Sequence, residues 1–333
     1  MIKTFSVETF GCQMNVHDSE NIAGLLHKAG YREATDHQTE PDLLVVNTCS
    51  VRERAEEKLY ARLDHYRKKS RYERPVIAIT GCVAQQEGAN ILERVPVVDL
   101  VLGTQALSRL PEAIKSLEQS TSPSIDTDSS SEPPIPPGTA KRSDTKKAFI
   151  TIIEGCNDFC SFCVVPYTRG HERMRAARDI LREAKDCASV GYQEITLLGQ
   201  IVNHYHAPDL PECDLAGLLS LLDNIDGLKR IRFTSPHPRH VTGRLISALR
   251  DLPKVCKHLH LPIQSGSTRI LSLMRRRHTR EHYLSLITRI KNQIPDIALS
   301  TDIIVGFPGE TEQDFQETLD LIKQVQYNNI FSF

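Results

Sequence analysis

The strongest constraint on this chain is a recurring alternation of short, wholly apolar runs with longer amphipathic stretches. Leu43-Leu44-Val45-Val46 and Val76-Ile77-Ala78-Ile79 have no polar position to turn toward water, the mark of strands buried on both faces. Thr4 to Thr9 and Val98 to Leu102 read as two further strands. Between them, Asp18 to Ala29 sets Ile22, Leu25 and Leu26 at helical spacing, and Glu53 to Lys68 reads as a charged helix. A last helix follows the fourth strand through Leu110 and Leu117. The order predicts an α/β domain over residues 1–118, an open parallel sheet of flavodoxin or Rossmann type with helices on both faces. Cys12, Cys49 and Cys82 each fall just past a different strand. The carboxyl ends of parallel strands form the ligand-binding edge, so these thiols are expected to converge there. Three unrelated buried thiols are the plainer alternative.

Residues 119–147 change character. They carry a triple serine, Pro133-Pro134 and Pro136-Pro137-Gly138, with few large apolar side chains. Such a stretch buries too little surface to offset the entropy of ordering it, which predicts a flexible linker. From residue 148 to 333 the alternation resumes. Strands are expected at Ala148–Ile153, Glu194–Leu198, Arg230–Thr234, His258–Ile263, Ala298–Val305 and Asn329–Phe333, the first five each followed by a helical pattern. This predicts a partial (β/α)6 TIM-like barrel with its site at the strand carboxyl ends.

The loop after the first barrel strand reads Gly155-Cys156-Asn157-Asp158-Phe159-Cys160-Ser161-Phe162-Cys163. Three thiolates in one loop can ligate an iron–sulfur cluster and leave one iron of a cubane open to substrate. Zinc sites add a second cysteine pair or nearby histidines, which this stretch lacks. The rest of the composition sets limits. The chain has 333 residues, enough for two domains, with 40% hydrophobic and 25% charged positions. A net charge of −1 gives no general field for nucleic acid, so any such binding relies on local basic patches. No apolar run reaches bilayer length and the N-terminus lacks signal-peptide features, so a cytoplasmic protein with no membrane association is expected. Nine cysteines without an export signal suit a reducing compartment.

The spacing CxxxCxxC, with Phe162 before its last cysteine, is the radical S-adenosylmethionine (SAM) signature. Together with Gly11-Cys12-Gln13-Met14-Asn15, Asn47-Thr48-Cys49, Gly81-Cys82, Cys160 to Gly170, Thr196 to Gln200 and Leu261 to Ser267, it makes nearly the whole chain resemble a radical SAM methylthiotransferase. Gln13-Met14-Asn15 resembles the branch acting on isopentenylated adenosine beside the tRNA anticodon. The resemblance implies two 4Fe-4S clusters and SAM as cofactors. Cys156, Cys160 and Cys163 would hold the cluster that binds SAM, and Cys12, Cys49 and Cys82 an auxiliary cluster carrying the sulfur. Phe162, Gln200, Ser235 and Gln264 would line the cofactor site. The implied partners are a tRNA and an external electron donor, with a sulfur source the sequence does not identify and the chain acting as a monomer. Two rivals stand beside this reading: methylthiolation of a ribosomal-protein aspartate or of threonylcarbamoyl-adenosine in tRNA, and a non-catalytic iron–sulfur scaffold.

The chain departs from the family at Gly170 to Ala176, at Ile201, and at its end, where members continue into a small RNA-binding β-barrel. Its absence suggests a truncated chain that grips tRNA weakly. Thirteen histidines include close pairs such as His204/His206 and His237/His240, expected on loops or the surface, with His237 the one candidate for substrate contact. Cys187 and Cys256 read as core thiols, and Cys213 as a loop thiol without a partner. Arg275-Arg276-Arg277 is either a solvated charge run or a phosphate contact.

Overall fold

A computed structural model describes residues 2–34, 40–50, 53–120, 122–128, 135 and 138–333, without the side chains of 53–55. The chain divides into two compact units, Met1–Ser143 with Val164–Gly170, and Asp144–Cys163 with His171–Phe333.

The first unit is a parallel sheet. Its elements are β1 (Thr4–Phe10), α1 (Gln13–Lys28), β2 (Arg32–Glu33), β3 (Leu43–Thr48), α2 (Glu53–Asp64), β4 (Val76–Gly81), α3 (Cys82–Glu87), α4 (Asn90–Arg94), β5 (Leu100–Leu102), α5 (Leu110–Gln119) and β6 (Ser124–Asp126). Strand order is β2-β1-β3-β4-β5-β6. Every residue of β3 is buried, as its apolar run requires. One apolar cluster gathers Phe5, Ile22, Leu26, Val45 and Leu110, while another gathers Leu44, Leu59, Ile77 and Ile79, so the sheet is covered on both faces. Alternate residues of β3 supply opposite faces, Val45 one and Leu44 the other. At the amino end of β4 the buried carboxylate of Asp99 pairs with Arg71 at 2.8 Å and Arg74 at 2.6 Å and accepts from Ile77 N at 2.9 Å.

The stretch expected to be a linker is partly built into this unit. Ser124–Asp126 pairs with β5 as an edge strand, and Arg109 binds the Asp126 carboxylate through two bonds of 2.6 and 2.7 Å. Ile135 packs on the apolar core and Thr139 is buried, accepting from Lys28 at 2.8 Å. Charge-assisted bonds anchor a segment too poor in apolar surface to anchor itself. The triple serine, Pro133-Pro134 and Pro136-Pro137 lie outside the described residues.

In the segment Val164–Gly170 the chain forms α6 (Val165–Thr168). The second unit contains β7 (Lys147–Thr151), β8 (Ile153–Glu154), β9 (Arg173–Met174), α7 (Ala177–Ser189), β10 (Glu194–Leu198), α8 (Leu215–Asp223), β11 (Arg230–Phe233), α9 (Gly243–Asp251), β12 (His258–His260), α10 (Thr268–Leu273), α11 (Arg280–Gln293), β13 (Ala298–Ile303), α12 (Glu312–Val325) and β14 (Asn329–Ser332). Strands β7, β10 and β11 pair in parallel, as do β12, β13 and β14. A parallel bridge between Ile231 and Val255 continues the first set toward the second, and both wrap one core running from Ile150 through Leu197, Ile231, Leu259 and Leu299 to Leu321. This is the expected partial barrel. Its helices start as their sequences dictate, with Asp214, Thr242, Thr279 and Thr311 each accepting from a first-turn amide.

Strands β12 and β7 end earlier than their apolar runs. β12 stops at His260 because Pro262 has no amide to donate and Gln264 turns the chain at φ +74°. β7 stops at Thr151, after which Ile153–Glu154 turns to pair antiparallel with Arg173–Met174. Under the barrel, Tyr283 is fully buried, donating to Leu261 O at 2.9 Å and accepting from the Tyr327 hydroxyl at 2.8 Å. Tyr283→Phe removes the acceptor of the buried Tyr327 hydroxyl, while Leu261 O keeps a bond from the Thr301 hydroxyl at 3.0 Å. The substitution is expected to destabilise this unit by about 1–3 kcal/mol, read as a lower denaturant midpoint with unchanged far-UV dichroism.

Candidate functional site

In the first unit, three neighbouring strands deliver three thiols. Cys12 stands at the amino end of α1, two residues past β1; Cys49 directly follows β3; Cys82 directly follows β4 and opens α3. Register makes them adjacent, since Phe10 pairs with Thr48, Thr48 pairs with Gly81, and Cys49 N donates to Phe10 O at 2.9 Å. The thiols of Cys12 and Cys82 both hydrogen-bond to Cys49. That bond is the largest influence on each and outweighs burial, lowering both to a pKa of about 6. Cys49 and Cys82 are buried, whereas Cys12 reaches the surface.

Two asparagines lock this edge. Asn15 Oδ1 accepts from both the backbone N and the thiol of Cys12 at 3.3 Å, and its amide donates to Asn47 Oδ1 at 3.2 Å. Asn47 returns bonds to Asn15 O at 2.9 Å and Ser19 Oγ at 3.0 Å. Both asparagines are fully buried. Gly81, at φ +90°, lies so close to Asn47 Oδ1 and Thr48 O that a Cβ there would collide with both. Arg169 is also buried here and pairs with Asp18 at 2.5 Å. None of Asn15, Asn47, Asp18 and Arg169 was assigned a role from sequence, although Asn15, Asn47 and Arg169 lie inside the quoted motifs.

In the second unit, the loop after β8 turns at Gly155, φ +80°, and at Phe159, φ +47°. Cys156 is buried, and Cys160 and Cys163 are half-buried. Burial first, then the charges of Asp158, Cys163 and Cys160, raises the Cys156 thiol to about 11, so the three thiols sense one another. Ser161 ties the loop to the end of α10, its N donating to Met274 O at 3.2 Å and its hydroxyl to Leu273 O at 2.9 Å. Phe162 is partly exposed. Gln200 follows β10, and its Oε1 is buried without a hydrogen-bond partner among the described residues. Ser235 follows β11 at φ +56°, exposed, with its carbonyl accepting from Val202 N at 3.3 Å. Gln264 is buried, and its backbone bridges to Ile303. Strained left-handed backbone at Ser235 and Gln264, at the ends of different strands, is of the kind found at ligand sites. Gly266 packs against Thr318, and a Cβ there would strike its backbone.

Three expectations need correction. Arg276 is not a surface phosphate contact: it is buried, its Nη2 donates to Pro262 O at 3.1 Å and its Nη1 to Cys160 Sγ at 3.6 Å. Left-handed backbone at Arg275 and Arg277 turns the central arginine inward while its neighbours stay exposed, a reversal a charge run does not announce. The histidines do not all sit on the surface. Rings of His206, His204, His240, His237 and His278 form a string with centroids 4.4 to 5.9 Å apart, and His237 and His278 are buried. Burial, then the Arg276 charge, keeps His237 neutral, with its Nε2 3.8 Å from Asp158. Cys213 is in the apolar core and donates to Asp214 O at 3.7 Å. The departing segment is locally satisfied, with His171 bonded to Asn157 at 3.0 Å, Glu172 to His204 at 2.8 Å and Arg173 to Glu154 at 3.0 Å.

Among the described residues no three or more His, Cys, Asp or Glu side chains gather around a single metal-ion position. Each unit instead offers one set of three neighbouring cysteines outside any disulfide, a donor chemistry that fits a multi-iron sulfur cluster.

A parallel half-barrel with such a thiol loop defines a radical SAM protein. Residues 150–322 match the model of the Radical SAM superfamily, and residues 4–103 match one described as uncharacterized protein family UPF0004. Solved radical SAM enzymes share the fold. The methyltransferase TsrM from Kitasatospora setae has a TM-score of 0.69 at 14% identity, covering 100% of this chain and 75% of its own. The cobalamin-dependent enzyme OxsB has a TM-score of 0.66 at 12% identity, covering 96% of this chain and 52% of its own. Sequence relatives are far nearer. Proteins named tRNA-2-methylthio-N(6)-dimethylallyladenosine synthase from Clostridium tetani and Moorella thermoacetica are 45% and 46% identical over 99% of this chain, which spans 73% and 75% of their lengths. The chain belongs to the tRNA-2-methylthio-N(6)-dimethylallyladenosine synthase family of the Radical SAM superfamily, the branch that Gln13-Met14-Asn15 indicates.

The thiol environments give a pH signature. In iron-free protein, iodoacetamide alkylation of Cys12 is expected to rise with pH through a midpoint near 6, because its thiolate forms above that value. Cys156 stays unreactive until strongly alkaline pH. Peptide mapping by mass spectrometry reads both, and an ordinary thiol midpoint at Cys12 would contradict the hydrogen-bonded triad.

Proposed function

We propose that this chain is a tRNA methylthiotransferase that places a methylthio group on carbon 2 of isopentenylated adenosine, using two 4Fe-4S clusters and SAM. The supporting observation is the pairing of two separate three-thiol sets, one on strand ends and one in a CxxxCxxC loop, in a chain about 45% identical to synthases of that name. Cys156, Cys160 and Cys163 would hold the SAM-binding cluster, and Cys12, Cys49 and Cys82 the sulfur-bearing one. When bound, these groups supply a carbon radical, a methyl group and sulfur, chemistry for a C–H bond too strong and too non-acidic for side-chain acid–base catalysis.

The protein supplies orientation and a dry site. Phe162, partly exposed beside Cys163, can lay its ring against an adenine. The buried Gln200 Oε1 has an acceptor to offer to an amino group. Ser235 and Gln264 present left-handed backbone at strand ends. His237, held neutral, adds no charge to this region and repels no cationic cofactor. The tRNA is the partner; among the described residues no helix is long and apolar enough to cross a membrane.

Two measurements test the reading. Nucleosides from the tRNA of a strain lacking the gene should contain isopentenyladenosine without its 2-methylthio form, restored by the intact chain. Loss confined to threonylcarbamoyl-adenosine derivatives or to a ribosomal protein would overturn the substrate, and no change in either would indicate a scaffold. Anaerobically reconstituted protein should hold about eight iron atoms, falling by half in Cys160→Ala and likewise in Cys49→Ala. One zinc and no iron would contradict both sites.

A further inference from the structure

The residues after the second unit's thiol loop do something its ligand spacing does not require. Cys163 is followed at once by Val164–Gly170, which packs as part of the first unit. The segment is firmly seated there: Thr168 is fully buried, its carbonyl accepts from the Thr104 hydroxyl, and Gly170 at φ +72° fits against Gln105 where a Cβ would not. What it delivers is a charge. Arg169 has a relative exposure of 6%, pairs with Asp18 of α1 at 2.5 Å, and hydrogen-bonds the Cys82 thiol. A buried ion pair is costly to desolvate and contributes little net stability, so its presence against three thiols calls for a reason beyond folding.

We propose that Arg169 is a positioning residue of the Cys12/Cys49/Cys82 site, its buried guanidinium fixing the electrostatic field at the group those thiols bind, with Asp18 holding it in place and partly offsetting it. The proposal rests on the reading of that triad as a cluster site. Three thiolates make the site strongly negative, and an electron added there is opposed by that charge. A guanidinium at hydrogen-bond distance in a buried setting acts with little screening. Arg169 contacts the Cys82 thiol itself while Asp18 pairs with the guanidinium, so the positive member of the pair faces the thiols directly. Arg169 therefore favours the reduced state and Asp18 disfavours it.

The full-length chain carrying Cys156→Ala, Cys160→Ala and Cys163→Ala, reconstituted with iron and sulfide, isolates the first-unit cluster for potentiometric titration followed by electron paramagnetic resonance. Arg169→Met is expected to lower the midpoint, by on the order of tenfold in the reduction equilibrium or about 59 mV for one electron. Arg169→Lys should restore most of it, because charge and not the fork geometry sets the field. Asp18→Asn should raise the midpoint, and it carries the test by itself if Arg169→Met, which leaves a buried carboxylate unpaired, fails to fold. Absence of iron from the background chain would overturn the triad as a cluster site, and this proposal with it. Iron present with a midpoint unmoved by Arg169→Met and Asp18→Asn would overturn the role of Arg169 alone.

Discussion

Strand register in the first unit is the constraint on which the chemistry depends. β1, β3 and β4 are adjacent and parallel, and their pairing brings Phe10, Thr48 and Gly81 level at the carboxyl edge. Burial of β3 and β4 on both faces fixes that register, because a slip would expose apolar side chains or strand backbone groups without partners. Once the register is fixed, a thiol stands one residue past β3 and β4 and two residues past β1. The Asn15–Asn47 bonds then hold α1 to β3, so Cys12, which follows a looser turn, meets Cys49. Replacing Gly81 with any side-chain-bearing residue would disturb all three thiols through Asn47 and Thr48.

The second unit solves a different problem. Its three thiols come from one loop, so strand register does not gather them; loop conformation does. Left-handed turns at Gly155 and Phe159 shape the loop, and Ser161 and Arg276 bind it to the segment after β12. The buried arginine beside Cys160 and the buried arginine beside Cys82 are parallel devices, each a fixed positive charge against a thiol set. In both cases the arginine lies in a short polar run that looks like surface in the sequence.

Much of this could be read from residue order. Apolar runs of four gave the buried strands, helical spacing gave the helices, and cysteines just past three strands predicted a shared edge. The barrel was legible for the same reason, and the family motifs narrowed the chemistry. What escaped depends on backbone angles and distant pairing. Nothing local to Arg275-Arg276-Arg277 shows that positive φ at its outer members turns the middle one inward. Ser124–Asp126 has too little apolar surface to read as a strand, and it joins the sheet through Arg109, far off in sequence. The histidine string arises from three separate loops that only the barrel brings together.

We propose that the two thiol sets have separate work, one in cleaving SAM and the other in supplying sulfur. This division is tested most directly by the full-length triple variant Cys12→Ala/Cys49→Ala/Cys82→Ala, supplied with reductant, SAM and isopentenylated tRNA. Product analysis should find 5′-deoxyadenosine and methionine formed at a rate near that of the parent chain, and no 2-methylthio nucleoside. Loss of SAM cleavage to the level of Cys156→Ala would contradict the division, showing that the strand-end thiols are needed for the radical step itself.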